Sequence, residues 1–259
     1  MDWGYTVSGF LVGTLVGLTG VGGGSLMTPL LIFLFGISPA LAVGTDLLFA
    51  AITKVGGIWA HARRSTINWR VVRLLTAGSL PTALVSVYFL GTIRDQGWEI
   101  DTLMTSALGL ALILTAVSIL FKSQFQQLGN RITAFAPGLK GRRDAATVLA
   151  GILLGILVPL SSVGAGALGA AMLLFLYPRL PTVRIVGTDI AHAVPLTAVA
   201  GLGHMQLGNV DFMLLGALLL GSLPGIYLGS HFGSIIPERV MRPVLASVLM
   251  LIGFKFVLS

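Results

Sequence analysis

Thr19-Gly20-Val21-Gly22-Gly23-Gly24-Ser25 interrupts two apolar runs near the start of the chain, and Ser161-Ser162-Val163-Gly164-Ala165-Gly166-Ala167 interrupts two more in its second half. Shifting the sequence by 142 residues lays Gly9, Gly13, Val16, Gly22, Gly24, Leu26 and Pro39 on Gly151, Gly155, Val158, Gly164, Gly166, Leu168 and Pro181. One further residue of shift lays Gly44-Thr45-Asp46 on Gly187-Thr188-Asp189, His61 on His204, and Gly78-Ser79-Leu80-Pro81 on Gly221-Ser222-Leu223-Pro224. The chain is therefore an internal duplication, and each copy carries its glycine-rich break near its start.

Composition decides the solvent. With 259 residues, 55% of them hydrophobic and 10% charged, and a mean hydropathy of +0.95, the chain falls outside the range of soluble domains. Uncharged stretches of about 20 apolar residues read as membrane-spanning helices. The formal charge of +7 sits in loops between apolar segments, so it reads as a topology signal and not as a nucleic-acid face. There are no cysteines, which excludes disulfides and thiolate metal sites. Met1-Asp2-Trp3 lacks a basic leader region, and the first segment is expected to stay uncleaved as part of the fold.

The expected fold is an all-α polytopic membrane protein built as an inverted internal repeat. Each half holds a glycine-broken helical hairpin and three transmembrane helices. The first repeat, 1–121, comprises a hairpin at 5–36 and spans at 40–60, 71–90 and 102–121. A cytoplasmic linker, 122–144, leads to the second repeat, 145–259, with a hairpin at 145–177 and spans at 183–203, 212–230 and 240–258. The hairpin arms of the first half reach only about 15–24 Å, against a hydrocarbon core of about 30 Å. A re-entrant hairpin with its tip inside the membrane is expected, with two short spans as the alternative. Backbone broken at that depth is tolerated only beside protein or a polar cavity. Three spans per half give an odd number of crossings, so the halves must be inverted.

Basic residues test that topology. Thirteen of them (Arg63, Arg64, Arg70, Arg73, Lys122, Arg131, Lys140, Arg142, Arg143, Arg179, Arg184, Arg239 and Arg242) fall on one side, against Arg94 and Lys255 on the other. The rich side is expected to be cytoplasmic, which places a multi-pass protein in the inner membrane with both termini outside.

Inverted repeats with broken helices are the signature of a secondary transporter, with the ligand bound where the breaks meet. Each break exposes the N-terminus of the next short helix, whose unpaired amides and dipole attract an anion. Glycine at 22, 23 and 24 lets the backbone approach a ligand closely. Gly9, Gly13 and Gly17, spaced four apart, read instead as a packing face. The candidate substrate ligands are Thr19, Gly22, Gly23, Gly24, Ser25, Lys54, Ser161, Ser162, Gly164, Gly166 and His192. Lys54 and His192 are ionisable groups inside apolar spans without a charged repeat counterpart. Lys54 lies about 12 Å along the helix from Asp46, too far for an intrahelical pair. The matched acids Asp46 and Asp189 are expected to accept hydrogen bonds structurally, with proton or cation binding as the alternative. His61, His204 and His231 read as boundary residues, and Pro81 and Pro224 as kinks. The scattered histidines lack metal spacing, and no nucleophile or nucleotide-binding motif occurs, so neither an enzyme, a metal nor a cofactor is expected.

Taken together, Gly13–Pro29 with its Thr-Gly-Val-Gly-Gly-Gly-Ser break, Gly44-Thr45-Asp46, and the second-half Ser-Val-Gly-Ala-Gly with Gly187-Thr188-Asp189 resemble the TauE/SafE sulfite-exporter family, also called the 4-toluene sulfonate uptake permeases. The resemblance covers essentially the whole chain and implies transport of sulfite, sulfonates such as sulfoacetate, and related small anions, often outward. Ala165 and Ala167 stand where the first copy has glycine and serine, which leaves open whether both tips contact substrate equally. A monovalent anion leaving a negative-inside cell gains about 2.3 kcal/mol per 100 mV; proton coupling through Asp46, Asp189 or a histidine is a further expectation left open. The partners expected are a small anionic substrate and the lipid bilayer, with homodimer assembly left open and no nucleic acid. The rival readings are a non-transporting membrane subunit or scaffold of an enzyme complex, and a carboxylate exporter or importer.

Overall fold

The computed structural model describes residues 3–19, 24–135, 140–232 and 238–258, and those residues form eleven α-helices and no strand. They are α1 (Trp3–Thr19), α2 (Gly24–Phe35), α3 (Pro39–Arg63), α4 (Trp69–Asp95), α5 (Ile100–Leu120), α6 (Lys122–Phe135), α7 (Lys140–Ser161), α8 (Ala167–Leu176), α9 (Thr182–Gln206), α10 (Phe212–Phe232) and α11 (Glu238–Leu258). Seven stretches, within α3, α4, α5, α7, α9, α10 and α11, are long and apolar enough to cross a membrane. The molecule is a multi-pass membrane protein.

Helix ends follow from local chemistry. Pro39 opens α3 with its φ already helical, and the Asp101 carboxylate accepts from the Ala40 amide at 3.0 Å, satisfying a first-turn donor from another helix. Asn68 caps α4 by accepting from the Val71 amide at 3.3 Å. Asp211 does the same for α10, accepting from Leu214 at 3.0 Å, at the position the duplication matches to Asn68. Gly36, Gly97 and Gly208, all with positive φ, stop the preceding helices.

Two parts differ from the sequence expectation. The first arm of the second hairpin, expected from 145, begins at Lys140, and Gly141–Ser161 is long enough to span. Its counterpart α1 has 17 residues, and the charged stretch Lys140–Asp144 supplies the additional turns of α7. The segment 122–144 is not a plain linker: α6 packs on α8, with the Gln126 amide donating to the Pro178 carbonyl at 3.1 Å. Also, α3 and α9 have 25 residues each, about 37 Å, and so must tilt in a core of about 30 Å.

The helices pair across the duplication. α1 lies on α10 and α4 on α7, while α3 lies on α9 and α5 on α11. A Cβ on Gly13 would come within 2.5 Å of the Ser222 carbonyl oxygen and 2.7 Å of its Cα. The matched Gly155 meets Ser79, the residue matched to Ser222. Gly9 against Leu218 recurs as Gly151 against Leu75, and Gly78 against Val148 recurs as Gly221 against Thr6. Residue numbers rise together along α1–α10 and α4–α7, so those pairs are parallel. They run oppositely along α3–α9, where Gly201 meets Leu48 and Gly57 meets Ile190, and along α5–α11, where Gly109 meets Val257 and Gly253 meets Ile113. Without a hydrophobic force between helices in lipid, such backbone contact supplies the cohesion by dispersion. The main buried cluster joins Val43 and Leu47, Ala83, Met104, Leu154 and Val158, and Ala193 and Leu196. Tyr88, Tyr227 and Leu251 point outward, as side chains facing hydrocarbon do.

Candidate functional site

The second break is a tightly wound turn between α7 and α8. Ser161 donates its hydroxyl to the Leu157 carbonyl at 2.7 Å and accepts from the Val163 amide at 3.2 Å, so it folds the turn locally. Ser162 is held at φ 57°, uncommon for a residue with a side chain. Its hydroxyl is buried and without a partner. The Gly164 carbonyl accepts from Gly166 at 2.9 Å and Gly169 at 3.0 Å. At Gly164 a Cβ would meet only ordinary side-chain contacts, and its φ of 117° is what demands glycine. Of the first break, Gly22 and Gly23 lie outside the described residues, Thr19 and Gly24 end and begin their helices, and Ser25 is buried.

The repeated Gly-Thr-Asp has three separate tasks. At Gly44 a side chain would strike the Asn209 carbonyl, with His204 Cβ 3.0 Å away; at Gly187 it would meet His61 Nδ1 at 2.7 Å and the Thr66 carbonyl at 3.1 Å. Each glycine thus admits the helix-ending turn of the other half. Thr45 Oγ1 accepts from the Asp211 amide at 3.1 Å, and Thr188 Oγ1 from the Asn68 amide at 3.0 Å. Each threonine satisfies an amide at the entry of a facing helix. Each acid turns to the short helix of its own half: Asp46 Oδ2 accepts from the Thr28 hydroxyl on α2 at 2.6 Å, and the Asp189 carboxylate lies on the Cα of Gly169 in α8. Both carboxylates keep a buried Oδ1 without a partner. The structural acceptor role therefore describes Oδ2 of Asp46 and leaves the Oδ1 of each acid unused.

Lys54 crosses from α3 to the second break, donating Nζ to the Ala165 carbonyl at 2.6 Å. It pairs directly with neither acid, yet its charge acts on both Asp46 and Asp189. Ser162 approaches Asp46 from the turn without closing a hydrogen bond. His192 shares a 2.8 Å hydrogen bond between Nε2 and the Ser79 hydroxyl, and its Nδ1 is buried and unpartnered. The structure thus gathers Lys54, Asp46, Asp189 and Ser162 about the second break, with His192 anchored beside them on α9.

Two participants were not singled out from sequence: Thr28 and Ser79. Ser79 carried a signal, the repeated Gly-Ser-Leu-Pro. Thr28 carried none. His204 is a correction. Expected at a boundary, it is buried, donating Nε2 to the Pro159 carbonyl at 2.8 Å. That carbonyl sits in the last turn of α7, where no helical amide follows to receive it. His204→Leu is therefore expected to cost about 1–3 kcal/mol, read as a lowered thermal midpoint in detergent. His61→Leu, at a partly exposed site, should cost less; equal midpoints for His204→Leu and the parent would refute the capping role.

A cavity of about 600 Å³ opens between α4 and α9, lined by Trp69, Arg73, Thr76, Leu80, Pro81 and Pro195 among others. Trp69 and Arg73 lie on the first turns of α4, and the lining residues Leu80 and Ala191 are the sequence neighbours of Ser79 and His192. Among the described residues no cluster of metal-ligating side chains occurs.

Comparison with known proteins agrees with a transporter. YjnA of Bacillus subtilis, named a probable membrane transporter protein, is 40% identical over 250 residues, covering 96% of this chain and 97% of that one. A probable membrane transporter protein of Methanocaldococcus jannaschii is 27% identical over 269 residues, covering 97% and 94%. No solved structure matches the chain. The family described as sulfite exporter TauE/SafE matches residues 5–256. With the duplicated break, the Gly-Thr-Asp pair and a relative 40% identical along nearly its whole length, the chain belongs to the TauE/SafE family of membrane transporters.

Proposed function

We propose that the protein exports small sulfur oxyanions, sulfite or sulfonates, through the inner membrane and holds them at the second break. The carrying observation is that the Lys54 ammonium reaches the Ala165 carbonyl in the turn just before α8, the same turn that holds the buried Ser162 hydroxyl. A three-oxygen anion takes several donors at once. Here the ammonium, a buried turn hydroxyl and the positive end of a short helix lie within one short segment, Ser162–Ala167. Arg73 in the α4–α9 cavity gives an anion a favourable approach from the basic side. A scaffold would not need unpartnered donors beside a strained turn.

The test is flux of labelled sulfite, sulfoacetate and simple carboxylates in proteoliposomes. Saturable movement of the sulfur anions is expected, with carboxylates slower. A lack of flux for every anion sinks the transporter reading for these substrates, and a preference for carboxylates replaces the substrate class.

The orientation belongs to the same reading. Antiparallel α3 and α9, which are matched helices, support inverted halves, and the charge asymmetry supports a cytoplasmic basic side. In this cysteine-free chain, single cysteines at Arg64 and Asn130, both exposed, should resist impermeant thiol reagents in intact cells. A cysteine at exposed Gln96 should react. The reverse pattern overturns the orientation.

A further inference from the structure

We propose that the transported anion travels with a proton, and that Asp189 carries it. This rests on the anion-transport reading above. Asp46 is 0% and Asp189 4% exposed, and Lys54 is the charge acting on both. With both carboxylates ionised, they and one ammonium sum to minus one before any substrate arrives. A monovalent anion would bring the site to minus two, and each uncompensated buried charge costs several kcal/mol.

Other elements supply no relief. α2, α5, α7, α9 and α10 pack on α3, and α3, α4, α7 and α8 pack on α9. Neither α2 nor α8 has a charged residue. On α5, Asp101 is engaged at the Ala40 amide. α7 bears Lys140, Arg142, Arg143 and Asp144 at its far end, where Asp144 pairs with Arg70 of α4. The other charges of α4, Arg73, Arg94 and Asp95, lie toward its ends, as do His231 on α10 and His61 and Arg63 on α3. On α9, Arg184 lies in the first turn, His204 is spent on Pro159, and His192 is held by Ser79.

A proton on one carboxylate restores the balance. The loaded site then carries minus one, as the empty site does, so both forms cross at the same charge. The proton arrives from water on the loading side, forms an O–H bond to a carboxylate oxygen, and leaves with the anion on the other side. Asp46 has Oδ2 fixed by the Thr28 hydroxyl. Asp189 lies against bare Gly169 backbone, and among the described residues no donor reaches it. Asp189 is thus the carboxylate with least to lose on taking a proton.

The test uses methanesulfonate, a monoanion that does not itself take a proton near neutral pH, in sodium-free proteoliposomes. With the potential clamped at zero, one pH unit, acidic on the side of the anion, should drive about tenfold accumulation, and a potential without a pH difference should drive none. Asp189→Asn should keep anion exchange between equal pools while losing the response to pH. Asp46→Asn should keep that response at a lower rate. Flux driven by the potential and indifferent to pH overturns the proposal and leaves anion transport standing. Coupling that survives Asp189→Asn but disappears in His192→Gln or Asp46→Asn overturns the assignment to Asp189. Flux of none of the sulfur anions defeats the transport reading, and this inference with it.

Discussion

Gly155→Ala and Gly13→Ala are expected to lose most folded protein, while Gly216→Ala keeps it. A Cβ on Gly155 would press on the Ser79 carbonyl and sit 2.9 Å from the Ser79 Cα; on Gly13 it would sit 2.5 Å from the Ser222 carbonyl oxygen. Those neighbours are backbone and cannot swing away, so two parallel helices must separate. Overpacking costs about 1–3 kcal/mol where side chains can adjust, and here the adjustment is a whole helix pair. Gly216 has nothing within 4 Å of a Cβ, so the same change there gains helix propensity of up to about 1 kcal/mol. Thermal midpoints and monodisperse yield in detergent check this, and similar midpoints for Gly155→Ala and Gly216→Ala would contradict the packing account. Because the contacts repeat between halves, Gly13→Ala and Gly155→Ala should be comparably damaging.

Lys54→Met is expected to lower flux of sulfur anions at least about 100-fold, equivalent to about 2.7 kcal/mol of lost binding. Lys54 donates to the Ala165 carbonyl in the second break, and on the proposed reading its loss would leave an anion beside two carboxylates without a cation. The folded yield should fall only in part. The Ala165 carbonyl loses its donor, a cost of about 1–3 kcal/mol, while the expense of holding a charge in the membrane is removed. The anion-induced thermal shift, about 2.7 kcal/mol at 100 times the dissociation constant in the parent, should vanish in Lys54→Met. A preserved shift and flux would exclude Lys54 from the site. Lys54→Arg is a stricter probe of geometry, since the wider guanidinium does not fit the single carbonyl contact.

The site was partly legible. Periodicity and repeat matching picked out Lys54, Asp46, Asp189 and the second break because ionisable groups in apolar spans and paired glycine interruptions are rare without cause. The same reading placed Lys54 away from Asp46 by helix geometry, and the structure turns its ammonium to the Ala165 carbonyl instead. What it missed depends on partners far apart in the chain. Thr28 and Ser79 look like ordinary small polar residues until helices from different parts of the chain bring an acid and a histidine to them. His204 looks like a boundary residue until the broken end of α7 places an unpaired carbonyl over it.

By itself the sequence determined the solvent, the helical class, the duplication and the glycine faces, because each is written in local composition or in a fixed offset between residues. Hydrocarbon admits few structures other than helices, so apolar length alone settles that class. Only the tertiary structure decided which glycine face meets which helix, why Gly-Thr-Asp is repeated, and which buried polar atoms are left without partners. Those are contacts between α1 and α10, α4 and α7, and α3 and α9, each joining residues more than 65 positions apart. In lipid they form by backbone fit and hydrogen bonding, and no hydropathy pattern along one helix encodes the shape of its neighbour.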